Sequence, residues 1–375
     1  MIYYFDNAAT TKVDDEITKL IDKYNGEKYF NPSSLTAFSL SVAKDIQSAR
    51  ESVAGVFGCK ADEIYFTSGG TESDNTAILG SLSKHTGNIV TTETEHSAVY
   101  KTVNYLKNKG YEIRFAAVNS DGSVNAESLI NNVDENTLLV AVMHVNNETG
   151  AINNIGELVK KVKSKNPKTL FFSDGTQAAG KIKVNLANSG VDAYAFSGHK
   201  FHAPKGIGGL YIKSNAKISQ LHFGGGQEKG FRSGTENVSA IIAMSQALKT
   251  ASDLIKENSE KFAEYKTILL KAFDTLGDYK IICCDGSPAI MSVAFENIKS
   301  QVLSNILEQD GIIIGLGSAC SSKNKQNRIM TAAGLERKYI EGVVRISFSK
   351  YNTTEETEFL AKKMTEHIKM LRDLQ

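Results

Sequence analysis

The chain has 375 residues, 41% hydrophobic and 23% charged, with Lys+Arg 43 against Asp+Glu 42 and a formal net charge of +1. These values suit a soluble globular protein with a large core and two domains, and argue against a dedicated nucleic-acid surface. No run approaches the ~20 apolar residues of a membrane span. The start, Met1-Ile-Tyr-Tyr-Phe-Asp-Asn7, lacks the basic and long apolar regions of a signal peptide. Four cysteines (Cys59, Cys283, Cys284, Cys320) without a C-x-x-C pair make neither a disulfide framework nor a structural zinc site. A reduced, cytoplasmic setting fits best, with no metal expected.

In chain order, residues 1–12 are short and apolar, then polar, and are expected to pack on a domain distant in sequence. Asp14–Tyr24 has a helical pattern. Phe38, Val42, Ile46, Ala49, Val53 and Phe57 then recur at helical spacing, with Gly58 as the stop. Strands are expected at Ile64–Thr67, Asn88–Thr91, Ile113–Val118, Leu138–Val145, Leu170–Asp174, Ala193–Ser197 and Gly209–Ile212. Helices near 73–83, 97–109, 126–132 and 155–165 separate the earlier ones. This alternation predicts a mostly parallel seven-stranded sheet with helices on both faces. After Val238 come two long helices, strand-like runs at Lys280–Cys284, Ile290–Phe295, Ile312–Gly315 and Val343–Phe348, and a last amphipathic helix. The division expected is a large domain of residues 13–254 and a smaller α+β domain of residues 1–12 and 255–375.

The polar residues gather where strands end, the edge at which open α/β sheets bind ligands. Ala193–Ser197 runs into Gly198-His199-Lys200 and a Gly/Pro-rich loop. Lys200 is either a surface lysine or a Schiff-base amine whose pKa is lowered by burial or a nearby cation. Thr67-Ser-Gly-Gly-Thr-Glu-Ser-Asp74 follows a strand and opens a helix. It fits a capping box, Thr71-x-x-Asp74, and equally an anion site in which Gly70 and Thr71 let backbone N–H groups face a phosphate. His96, Asn147 and the Asp174/Gln177 pair end three further strands. An imidazole there can stack on an aromatic ring and move a proton, and an aspartate can hold a pyridine nitrogen protonated. Cys320 begins a polar stretch with Lys323, Lys325 and Arg328, cations that favour a thiolate; it also fits a small residue buried at a turn. Arg345, among apolar strand neighbours, is either an edge charge or a bidentate clamp for a carboxylate.

Taken together, Tyr4-Phe-Asp-Asn-Ala-Ala-Thr-Thr11, Asn31-Pro-Ser-Ser34, Thr67–Asn75, Thr94-Glu-His96, His144-Val-Asn-Asn-Glu148, Ser197-Gly-His-Lys200, Gly224-Gly-Gly-Gln-Glu228, Arg232-Ser-Gly-Thr235 and Gly317-Ser-Ala-Cys320 resemble the cysteine desulfurases. These are pyridoxal 5'-phosphate (PLP) enzymes of the class V aminotransferase group with the aspartate aminotransferase-like fold. The resemblance spans essentially the whole chain. It implies that Lys200 carries the cofactor, His96 stacks on its ring and Asp174 pairs with the pyridine nitrogen. By the same resemblance Asn147 and Gln177 contact the ring's phenolic oxygen region. Gly70, Thr71, Ser197 and His199 hold the phosphate, joined by Thr235 from the partner subunit of a homodimer. Asn31, Asn147 and Arg345 take the substrate, and Cys320 becomes a persulfide.

The activity implied is conversion of L-cysteine to L-alanine, with sulfur passed to an acceptor protein, an iron–sulfur scaffold or a tRNA thiolation enzyme. No direct contact with nucleic acid or membrane is implied. Selenocysteine lyase or another class V PLP activity is the alternative, though a transaminase has no need of Cys320. The chain departs from the family pattern at Thr36, Ser39 and Ser173, at Gly315-Leu316 where small Ser/Thr residues are common, and at Gln326-Asn327-Arg328.

Overall fold

A computed structural model of the chain describes residues 2–82, 87–317 and 327–374. The N-terminal strand β1 (Tyr3–Phe5) belongs to the second of two sheets. The first sheet is seven-stranded: β2 (Ile64–Thr67), β3 (Asn88–Thr92), β4 (Glu112–Ala116), β5 (Thr137–Ala141), β6 (Leu170–Asp174), β7 (Ala193–Ser197) and β8 (Gly208–Ile212), in the order β2-β8-β7-β6-β5-β3-β4. Pairs from β4 across to β7 are parallel, and only β8 runs antiparallel to its neighbours β7 and β2. Every residue of β3, β7 and β8 is buried, as expected of strands covered on both faces.

The helices Ala37–Phe57, Ile155–Lys165 and Val238–Asp253 bury Val42, Val53, Phe57, Leu158, Val162, Met244 and Leu248 in one core layer. The helices Gly70–Gly80 and Ser97–Lys107 supply another, with Ala77, Ile78, Val99 and Val103 packed among Ile89, Leu139, Phe172 and Ala195. A fully buried aliphatic side chain contributes about 1.5–3 kcal/mol, so these layers fix the strand ends that carry the polar groups.

The second sheet is five-stranded and adds β9 (Tyr279–Ile281), β10 (Ile290–Phe295), β11 (Ile312–Leu316) and β12 (Val343–Ser347), in the order β1-β11-β12-β10-β9. The segment before Asp15 does join a region distant in sequence, since β1 pairs in parallel with β11, Tyr3 opposite Ile312. The helices Ile255–Asp274 and Thr354–Asp373 bury Phe262, Tyr265, Leu269, Leu360, Met364 and Ile368 in this sheet's core. Thr353 and Glu356 close a reciprocal capping box at the start of the last helix.

Three strand ends differ from the sequence reading by more than one residue. β5 ends at Ala141 rather than Val145, although Val142 and His144 still donate to the Phe172 and Asp174 carbonyls. Its neighbour β3 stops at Thr92, so the ladder continues on one side only. β4 ends at Ala116, with Val118 left in an isolated bridge to Val124. β9 covers Tyr279–Ile281 instead of Lys280–Cys284. Among the described residues no helix is long and apolar enough to cross a membrane.

Candidate active site

The ends of β2, β3, β5, β6 and β7 lead into the lining of one cavity of about 330 Å³, which Arg345 on β12 also lines. At one part of it the helix Gly70–Gly80 starts directly after β2. Its N-cap is Gly69, at φ 154° and ψ 179°, with no side-chain cap. A Cβ at Gly70 would stand 3.0 Å from Thr176 Oγ1 and 3.5 Å from Ser197 Cβ, so glycine keeps the cradle open. An uncapped helix start with free N–H groups attracts an anion. Ser197 and His199 line the same cavity. Burial first, then the Lys200 cation, pulls the His199 imidazole down to about 4, and Thr10 Oγ1 lies 3.1 Å from its Nδ1.

Of the two readings of Thr67–Asp74, the capping box from Thr71 and Asp74 does not form. Asp74 falls on the inner face of the helix, 1% exposed, with its Oδ1 buried and without a hydrogen-bond partner. Burial, followed by the neighbouring Asp174 and Glu95, holds its carboxyl well above the usual range.

Asp174, the last residue of β6, accepts from the Thr176 N–H at 2.9 Å. One ligand atom each of Asp74, His96 and Asp174 lie within 4.8 Å of one another. His96 is the N-cap of Ser97–Lys107, its Nδ1 accepting from the Ala98 N–H at 3.2 Å, which fixes the ring's attitude. Burial lowers its pKa, against the pull of Asp174, so at neutral pH the ring is an uncharged face. Asn147 lines the cavity with its side-chain oxygen buried and unpartnered. Gln177 is 4% exposed and donates to the Ala8 carbonyl at 2.8 Å.

Lys200 follows β7 in a single 3-10 turn. Its Nζ donates to the Ala8 and Ala9 carbonyls, both at 2.7 Å. Burial and the Arg345 cation pull the amine down to about 8, while Asp174 and Asp6 pull the other way. Such an amine has a far larger neutral, nucleophilic fraction near physiological pH than a solvated lysine. Arg345 is buried on β12, its Nη2 on Asp6 Oδ1 at 2.6 Å and its Nη1 on the Asn147 carbonyl at 2.7 Å, with Nε unpartnered.

The cavity thus brings together Gly70, Thr71, His96, Asn147, Asp174 and Gln177 with Ser197, His199, Lys200 and Arg345. Asn31 and Thr235 do not line it. Asn31 is exposed and its Oδ1 accepts from the Ser33 N–H, while Thr235 is exposed in this single chain. Cys320 lies outside the described residues. Sequence reasoning did not single out Asp74 as a cavity residue, nor the carbonyls of Ala8 and Ala9. The available signal was the polar run Asp6–Thr11 directly after an apolar strand.

A model of the class-V aminotransferases matches residues 3–360. A cysteine desulfurase of Nostoc sp. is 36% identical over 383 residues, covering 100% of this chain and 94% of its own length. The chain belongs to the cysteine desulfurase family. The desulfurase fold is equally plain in solved structures: a NifS-like protein superposes with a TM-score of 0.93 at 37% identity, over 99% of this chain and 100% of its own. A structure of SspA in complex with cysteine superposes with a TM-score of 0.82 at 27% identity, over 93% and 99%. Desulfurases of this class depend on PLP. The residues present suit that group: a glycine cradle at an uncapped helix start, an orphaned amide oxygen on Asn147, and an amine and a carboxylate in one cavity.

Proposed function

We propose that this chain is a PLP-dependent cysteine desulfurase that converts L-cysteine to L-alanine and leaves the sulfur as a persulfide on Cys320. The observation that carries the reading is Lys200, a partly buried amine lowered to about 8 in a cavity shared with Asp174 and Arg345. Lys200 would carry the cofactor, with Gly70, Thr71, Ser197 and His199 on its phosphate and Thr235 of the partner subunit completing that site in a homodimer. Asp174 would accept from the ring nitrogen, His96 would stack on the ring, and Asn147 and Gln177 would contact its phenolic oxygen.

When bound, PLP supplies an electron sink for the pair released as the substrate's Cα–H bond breaks. Lys200 would take that proton and hold it within the cavity. Arg345, with Asn31, would bind the substrate carboxylate and orient the Cα–H bond. The Cys320 thiolate then attacks the substrate sulfur. An S–S bond forms, the Cβ–S bond breaks with its electron pair going to Cβ, a proton delivered to Cβ completes the methyl group, and return of the Lys200 proton to Cα completes alanine. The persulfide passes to an acceptor protein, an iron–sulfur scaffold or a tRNA thiolation enzyme, in the reducing cytoplasm where free thiols persist.

The test is alanine released per enzyme in the presence of PLP and L-cysteine, with mass spectrometry locating the added sulfur. Lys200→Ala should lose the covalent visible chromophore, and Cys320→Ser should make no enzyme persulfide and almost no alanine. Turnover by Cys320→Ser at the parent rate would replace this reading with a simple sulfide-eliminating lyase.

A further inference from the structure

Lys181 is a basic side chain of the β6–β7 connection that the chemistry above leaves without a task. It follows Gly180, which sits at φ 71° with Phe201 and the helix Val238–Asp253 against it. A Cβ there would meet Ala251 Cβ at 2.8 Å. That tight left-handed turn sets the direction in which Lys181 departs. Its Nζ donates to the side-chain oxygen of Gln177 at 2.5 Å. Among the described residues no carboxylate forms an ion pair with it. Burial, then the Lys200 and Arg345 cations, hold its amine well below the usual lysine range. An N–H remains to donate in either protonation state.

The other end of the Gln177 amide donates to the Ala8 carbonyl at 2.8 Å, the same oxygen that accepts from Lys200 Nζ at 2.7 Å. A glutamine amide has an accepting end and a donating end of nearly equal shape, and its neighbours decide which way it lies. Rotated by half a turn, this amide would set its NH2 against the Lys181 donor and its oxygen against the Ala8 carbonyl. The Ala8 contact would be lost in either protonation state of Lys181, and the Lys181 contact with it while that amine is an ammonium, at a side chain only 4% exposed, where unsatisfied polar groups are costly.

We infer that Lys181 is a positioning residue that locks the Gln177 amide with its NH2 toward the cavity, so that its second N–H is free to donate to the phenolic oxygen of bound PLP. Lys181 touches neither cofactor nor substrate in this arrangement; it acts through Gln177. The inference rests on the reading in which Gln177 contacts that oxygen.

The experiment compares holoenzymes carrying Lys181→Met, Gln177→Leu, both, or Lys181→Arg, and reads the visible band, its pH midpoint and the dissociation constant for PLP. Gln177→Leu should shift the band and weaken PLP several-fold. Lys181→Met should reproduce most of both effects, and the double variant should go no further than Gln177→Leu alone. Lys181→Arg, which keeps a donor, should return the band toward the parent position. Lys181→Ala, smaller than the lysine stem, replaces the methionine variant where that fails to fold. An unchanged spectrum in Lys181→Met, or an equal shift whether or not Gln177 is present, overturns the inference. A Gln177→Leu holoenzyme with the parent's band and affinity overturns the underlying reading instead.

Discussion

Asp6 Oδ1 accepts from Arg345 Nη2 at 2.6 Å, and the pair packs against the backbone of Gly315, where a Cβ would stand 2.5 Å from Asp6 Oδ1 and 2.8 Å from Arg345 Nε. Arg345 is therefore aimed by Asp6, directly after the first strand, and by the Asn147 carbonyl, and the absent side chain at Gly315 makes room for it.

If Arg345 takes the substrate carboxylate, Gly315→Ser should push Asp6 and Arg345 apart and raise KM for L-cysteine. Arg345→Lys, which keeps the charge but loses the planar fork, should raise KM about ten-fold or more, the cost of one charged hydrogen bond. Both should keep the visible band of bound PLP. Steady-state kinetics decide it: an unchanged KM in Arg345→Lys would remove this arginine from the substrate site.

Lys200 must be neutral to attack the aldehyde of PLP. Its folded pKa of about 8 means that the rate of PLP uptake by the apoprotein should rise with pH and level off above that value. A solvated lysine would keep rising to about 10.4. Arg345 contributes to the lowering after burial, so Arg345→Gln should move the midpoint upward. Stopped-flow absorbance across pH 6–10, a window of about two units either side of the midpoint, measures both. A midpoint that stays put in Arg345→Gln would show burial acting alone.

Much of this site was legible because its side chains sit at or just past strand ends, and short apolar runs mark where strands stop. Ser197, Asp174 and His96 could be placed at one edge in that way. Asp74 could not, since Thr-x-x-Asp spacing reads the same whether the carboxylate caps the helix or turns beneath it. The packing of Gly70–Gly80 on the sheet decided for the buried position. Ala8 and Ala9 act through carbonyl oxygens, which every residue has, so nothing in their side chains announces them. β5 read four residues too long because Val142–Val145 is apolar and extended, and only the end of β3 deprives it of a partner.

Glu95 directly precedes His96, and its carbonyl accepts at 2.8 Å from Nη2 of Arg328, whose guanidinium stacks 4.0 Å from the Tyr100 ring centre. The Glu95 carboxyl is 1% exposed, with Oε1 accepting from Thr92 and the Met143 N–H, and Oε2 unpartnered. Burial pushes its pKa up to about 8, against about 4.3 for an unfolded glutamate. The folded state therefore prefers the protonated form. The stabilisation is complete below about 4.3 and disappears as pH rises through about 8, a swing on the order of a few kcal/mol. Glu95→Gln has no proton to lose, so it should flatten the decline in stability across that window. Urea melts at several pH values test this, and a parallel decline in both proteins would show that Glu95 does not titrate there.

Arg50 and Glu228 form a bidentate ion pair with both contacts at 2.7 Å, and their side chains are only 6% and 4% exposed. Arg50 Nη1 also donates to the Ile64 carbonyl at 2.7 Å, and Glu228 Oε2 accepts from the Phe66 N–H at 2.8 Å. The pair thus staples the 228–230 turn to the open edge of β2, at Ile64 and Phe66, although Glu228 and Lys229 must adopt left-handed φ of 49° and 58° to reach it. Arg232 adds a second tie to Glu72, in the first turn of the Gly70–Gly80 helix, at 2.9 Å. Thr235 lies just beyond, and in the proposed homodimer it serves the other subunit's phosphate. Glu228→Ala leaves a buried guanidinium uncompensated and should cost about 3–5 kcal/mol of stability. Replacing both partners, as Arg50→Met with Glu228→Leu, removes that penalty, so the double variant should be more stable than Glu228→Ala. It should nevertheless bind PLP more weakly than the parent, because the turn that carries Thr235 is no longer pinned. Thermal melts and PLP titrations of the dimer separate the two effects. Parent-like PLP affinity in a stable double variant would show that the staple serves folding alone.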